Sequence, residues 1–366
     1  MTDFIPGLEL CGLFYREAVK PILDESMPGL RYGAALTGSG SEILGFDTEM
    51  SADHHWGPRV MLFLAEEDVC RYGEAITEAL RHKLPPGFRG YSTNFTPPDP
   101  SDKNIQRLEE VESGPINHRV ELHTIRGFLL NYLDFDMEES IAPADWLTFP
   151  SQKLRTITAG AVYHDEVGLQ DALARFGYYP HDVWLYLLAS GWTRIGQEEH
   201  LMGRAGMVFD EVGSALIGSR LVRDLMHLCF LMEKQYAPYP KWFGTAFSRL
   251  KCAEELSPVL KSALAAETWK TRERYLSSAY EYVAGMHNRL GITEPLPSKV
   301  ANFFGRPFLV IHTGGGHADA IRAQITDAVV QRIAGRKLIG SIDQFSDSTD
   351  ILSDPQWRTK LRALYE

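Results

Sequence analysis

The sequence predicts an α+β protein: a small mixed sheet domain followed by an α-helical bundle. Three observations carry this expectation. Short apolar runs alternate with turn signals over the first 145 or so residues, stretches of helical periodicity dominate from about Phe149, and strand-like pieces return after Gly305. The chain has 366 residues, 44% hydrophobic and 23% charged, which excludes disordered, collagen-like and disulfide-stapled classes and leaves room for two cores.

Within the first domain, expected at residues 1–145, Leu10 to Glu25 has helical spacing and stops before Pro28-Gly29. Arg31 to Leu36 is a short strand candidate that runs into a Gly/Ser loop. Val60 to Leu64 is a continuous apolar strand, Asp68 to His82 an amphipathic helix, and Pro85 to Ser101 a Pro/Gly-rich loop. His118 to Ile125 alternates like a half-buried strand. The bundle, expected at 146–305, has helix candidates at 165–176, 182–202, 207–235, 241–252, 257–266 and 268–290, separated by Gly and Pro. A C-terminal extension, 306–366, carries a strand candidate at Pro307–His312 and a helix at Ala318–Ile333, and is expected to pack back on the body.

Lys and Arg number 37 against 48 Asp and Glu, a net charge of −11. So acidic a chain lacks the cationic footprint of a nucleic-acid binder. Cys11, Cys70, Cys229 and Cys252 lie far apart with no paired spacing, so they read as thiols of a reducing compartment. The N-terminus shows no secretory pattern, and charges interrupt the longest apolar stretch, Met207 to Met232. The expectation is a cytoplasmic protein with no membrane partner.

The segment from Leu36 to Leu64 carries the strongest chemistry. A strand feeds Gly38-Ser39-Gly40-Ser41, and an acidic stretch with Asp47, Glu49 and Asp53 leads to the next strand. Glycines let backbone approach a ligand closely, so amides and the Ser39 and Ser41 hydroxyls suit a triphosphate. Neighbouring carboxylates suit Mg²⁺ bridging phosphate oxygens.

Thirteen residues separate Gly38-Ser39 from Asp53, and eleven separate Gly40-Ser41 from it. Gly-Ser, a spacer of about this length and then a carboxylate resembles the pattern of the DNA polymerase beta-like nucleotidyltransferase superfamily. The wider pieces LTGSGSEILGFDTE, SADHHWGPR, YYPHDVWLYLLASGW, YAPYPKWFGTAF, FFGRPF and GSIDQFSDSTD resemble an uncharacterised branch of it, a domain-of-unknown-function family with an added helical domain. The resemblance implies transfer of a nucleoside monophosphate, AMP first among them, from a nucleoside triphosphate to a hydroxyl or amine, with release of pyrophosphate. It implies Mg²⁺ or Mn²⁺ at Asp53 and Glu121, triphosphate on Gly38 to Ser41, and an acceptor in the cleft between the domains. Glu121, within Val120-Glu121-Leu122, is the third-carboxylate and base candidate, with His123 on its face. Arg59 and Lys241 are candidate phosphate contacts, and Tyr239 or Trp242 a stacking surface for a base.

The sequence departs from that pattern at one position: His55 stands where the second carboxylate is expected. If that segment is a strand, Asp53 and His55 share a face, and imidazole suits Zn²⁺, Mn²⁺ or Ni²⁺ better than Mg²⁺. Asp47 and Glu49 form an alternative pair, although seven residues after Ser39 is a short spacing. His54 or His55 with Asp53 and His123 could build a transition-metal cluster, and His312 to His317 superficially resembles a phosphate loop. Three readings stay open: a transferase acting on a small molecule, the same chemistry on tRNA or protein, and a nucleotide-binding protein impaired by His55.

Overall fold

The computed structural model describes residues 4–52, 55–102, 104–311 and 316–366. The protein is α+β, and the chain divides into two units, Met1–Ser140 with Lys153–Gly177 and Ile141–Gln152 with Tyr178–Glu366.

The first unit opens with α1 (Gly7–Phe14), a π turn (Tyr15–Val19) and α2 (Lys20–Ser26). Pro21 lacks an amide hydrogen and crowds the carbonyl four residues back, and the wider π turn directly before it absorbs that conflict. Strand β1 (Gly33–Leu36) pairs antiparallel with β2 (Arg59–Phe63), and α3 (Glu66–Lys83) follows. A small ribbon, β3 (Gly87–Phe88) and β4 (Tyr91–Ser92), precedes β5 (Arg119–His123), which lies parallel to β2 with Met61 opposite Glu121. After α4 (Ile125–Leu133), the chain returns to this unit with β6 (Ala161–Asp165), which pairs antiparallel with β1. The sheet order is β5-β2-β1-β6.

Alternation along the strands decides what each face carries. Val60, Leu62, Val120 and Leu122 face a core with Leu10, Phe14, Val19, Ile76 and Leu80 from the helices. Met61, Phe63, Arg59, Arg119, Glu121 and His123 occupy the other face. Phe128 of α4 meets Phe63 there at 5.6 Å and His123 at 6.1 Å between ring centroids.

The sheet therefore extends past residue 145 to β6, which the sequence reading places inside the bundle, with a helix beginning at its last residue, Asp165. Asp165 explains the change, because its carboxylate accepts four amides, from Val167 to Gln170, and starts the short helix Leu169–Ala174 after the strand.

The second unit is built on His181–Met207, Glu211–Met232 and Trp269–Arg289, three long helices. The first two pack closely because Gly191 faces Leu228, where a Cβ would come within 2.6 Å of the leucine side chain. The C-terminal residues belong to this unit. Buried Asp145 accepts from Arg358 at 2.6 Å and Arg362 at 2.8 Å, and Asp182 accepts the Thr326 amide at 2.7 Å. The helix expected over 318–333 is two, Gly316–Arg322 and Ala328–Ala334, because Asp327 caps a new start through the Val329 and Val330 amides. The helix expected over 241–252 shrinks to a 3₁₀ turn, Pro240–Trp242, and Phe243–Phe247. No described helix is long and apolar enough to cross a membrane.

Candidate functional site

The end of the first unit's sheet where β1 stops and β2 and β5 begin gathers the polar residues. After Leu36 the backbone turns through Gly38 (φ 82°) and Gly40 (φ 151°), conformations that favour glycine. A Cβ on Gly40 would lie 2.6 Å from the Glu42 carboxylate, so the loop folds directly over that side chain. Arg59 fixes it from beneath: Nε donates to Glu42 Oε1 at 3.0 Å and Nη2 to the Ser39 carbonyl at 3.0 Å. Burial alone would lower the Arg59 pKa, but Glu42 outweighs it and the pKa is raised. The Thr37 hydroxyl and Gly38 amide bond back to Thr156 at 3.3 and 3.4 Å.

Among the described residues, no acceptor within the chain meets the Ser39, Gly40 or Ser41 amides. Three consecutive amides without an acceptor are the groups from which a backbone nest for an anion can be built. The Ser39 hydroxyl lies within bonding reach of Tyr132, which also shares a 2.7 Å hydrogen bond with Thr156 and stacks on Phe128.

Beside the loop, Arg119 pairs in register with Arg59. Its Nη2 donates to Glu121 Oε1 at 2.9 Å, and its Nη1 reaches His55 Nδ1 at 3.1 Å and the His55 carbonyl at 3.2 Å. Guanidinium has no acceptor, so His55 Nδ1 offers its lone pair. His123 Nε2 lies 3.4 Å from Glu121 Oε2. Burial would raise the Glu121 pKa, yet the His123 hydrogen bond and the Arg119 and Arg59 charges hold it down at about 2. Burial and the Arg59 charge lower the Arg119 pKa, against the pull of Glu121.

Ser39, Gly38, Gly40 and Ser41, Arg59 and Glu121 come together, with Glu121 and His123 on one strand face. Arg59 is 8% exposed and serves the loop, so its guanidinium is a support and not an open phosphate contact. Asp47 is turned to the start of α1, accepting from the Gly7 amide at 2.7 Å and Trp56 Nε1 at 3.0 Å. Glu49 opens an exposed 3₁₀ turn, Glu49–Ala52. The strand expected to hold His55 is absent: His55 is left-handed, with φ 53°, and β2 begins only at Arg59. Gly57 (φ 138°) and Pro58, which has no amide to give a ladder, delay the pairing. Asp53 and His54, and the loop residues 312–315, lie outside the described residues. Lys241 belongs to the second unit, with Nζ 4.8 Å from the Trp242 ring centroid.

Sequence reasoning missed Glu42 and Arg119. Arg119 had a readable signal, since residues two apart on a strand share a face and Glu121 was already singled out. Glu42 had none, because its place under Gly40 depends on the turn.

No group of three His, Cys, Asp or Glu among the described residues is placed to hold a metal ion. His55 and Glu121, two of the expected donors, are both bonded to Arg119.

Residues 146–243 match a family described as a domain of unknown function (DUF4037). The matched stretch contains β6 and Lys241 but neither the Gly-Ser loop nor Glu121. No curated protein and no solved structure matches the chain.

Proposed function

We propose that the first unit binds a nucleoside triphosphate on the Gly38–Ser41 loop and transfers its nucleoside monophosphate to a small-molecule hydroxyl or amine. The observation that carries this reading is the run of three backbone donors at the end of β1, held from below by Arg59. The resemblance of the Gly-Ser pattern to nucleotidyltransferases supports it. In the step, the acceptor oxygen or nitrogen bonds to the α-phosphorus, the bond to the β-phosphate oxygen breaks, and pyrophosphate leaves.

The acceptor's proton needs a base. A carboxyl held at about 2 is a poor proton acceptor near neutral pH, so Glu121 acts through charge and orientation. With Glu121 accepting from Nε2–H, we assign His123 Nδ1 as the group that takes the acceptor's proton. The residues that bond Arg119 do not fit an additional divalent ion, so Mg²⁺ or Mn²⁺ arrives with the triphosphate. A net charge of −11 favours a neutral or cationic small acceptor over tRNA. A second reading, nucleotide binding without turnover, is favoured by His55 in place of a carboxylate.

Pyrophosphate release from each labelled nucleoside triphosphate, with Mg²⁺ or Mn²⁺ and a metabolite extract, separates the readings. Release by wild type that drops at least about tenfold in Ser39→Ala and Asp53→Ala supports transfer. Binding without release supports the second reading, and neither binding nor release refutes both.

A further inference from the structure

We propose that Arg119 is a resident cation standing between His55 and Glu121, so that the triphosphate is held at this site without a metal ion ligated by those two residues. The inference rests on the nucleotide reading above and adds how that ligand's charge is met.

Three observations point to it. First, the donor atoms an ion would share are in use by Arg119. Nη1 takes the one lone pair of His55 Nδ1 at 3.1 Å, so an ion on that nitrogen must first displace the guanidinium, and Nη2 also holds Glu121 Oε1 at 2.9 Å. Second, among the described residues of this face Arg59 pairs with Glu42 and Arg119 with Glu121, and paired charges leave little negative charge with which to draw a divalent ion. Imidazole at position 55 takes away the carboxylate that would tip that balance. Third, Arg119 is held in place. Its side chain is 14% exposed and its guanidinium lies 5.7 Å from the Phe95 ring centroid. Arg119 is planar and permanently charged, and it stands opposite Arg59, whose guanidinium holds the Ser39 carbonyl; a guanidinium so placed suits phosphate oxygens.

The experiment is a titration of the full-length protein with a fluorescent ATP analogue, in Mg²⁺ and in EDTA. We expect wild-type affinity to change less than about threefold between the two, and Arg119→Met to weaken binding about tenfold or more in EDTA, as loss of a charge-assisted contact does. Arg119→Met with His55→Asp is expected to regain binding only when Mg²⁺ is present. Wild-type binding that is tight in Mg²⁺ and falls more than about tenfold in EDTA overturns the resident-cation inference and leaves the nucleotide reading intact. No binding in either buffer overturns the nucleotide reading and the inference with it. The wild-type comparison stands even if Arg119→Met fails to fold.

Discussion

On one face of β2 and β5, Val60, Leu62, Val120 and Leu122 pack into the helices. On the other, Arg59, Arg119, Glu121 and His123 meet one another and the Gly-Ser loop. Burial on the apolar face is additive and nearly indifferent to partner identity, because apolar area leaving water is what stabilises it. The charged face depends on named pairs, and removing one member strands the other. That contrast says where substitutions should destabilise the fold and where they should silence the site.

The largest expected effect is on the buried pair. Arg59→Met leaves Glu42 charged and 4% exposed, which should cost about 3–5 kcal/mol, and Glu42→Leu in the same chain should restore most of it. Urea unfolding measures both, and a single-variant cost below about 1 kcal/mol would break the contrast. Leu62→Ala on the opposite face should cost about 3 kcal/mol while leaving nucleotide affinity of the folded protein unchanged. A loss of affinity matching the loss of stability would show that the faces are not independent.

The second unit sharpens the comparison through a buried group with no charged partner among the described residues. Burial depresses the His287 pKa from 6.5 to about 4. The unfolded chain takes up that proton first, so this stability is complete above pH 6.5 and is lost as pH falls towards 4, by at most about 3 kcal/mol. Trp192, whose ring lies 6.2 Å from His287, reports it by fluorescence during denaturation. His287→Gln should flatten that slope, and an unchanged slope would assign it elsewhere.

Glu121 gives the smallest effect. Its depressed pKa contributes stability above pH 4.5 that disappears as pH falls through about 2. The carboxylate side chain is 39% exposed, so solvent limits the contribution to on the order of 1 kcal/mol. Glu121→Gln should remove that acid-side loss, and an identical acid limb in both proteins would count against the Arg119 and His123 contacts.

Much of the architecture was legible. The apolar run at Val60–Leu64 and the alternation at His118–Ile125 gave β2 and β5 to within a residue or two, and helical periodicity gave α3 and the three long helices. β6 was hidden because Ala161–Asp165 is half-buried, lies between helical stretches, and finds its partner β1 far back in the chain. The domain boundary was misplaced for the same reason. At the candidate site, the sequence pointed to the Gly-Ser loop by its spacing and to Glu121 by the resemblance, and the fold brings both to one end of the sheet. The left-handed His55, the turn of Asp47 towards the Gly7 amide and the lodging of Glu42 beneath Gly40 are products of tertiary contact, which no local pattern encodes.

The central claim, that the loop and charged face of the first unit seat a triphosphate, is tested most directly by hydrogen exchange of the full-length protein with and without ATP. Slowed exchange in residues 37–42 and 118–123, where the loop amides and Arg119 lie, is the result expected. ATP that binds while slowing exchange only within 178–366 would contradict the claim.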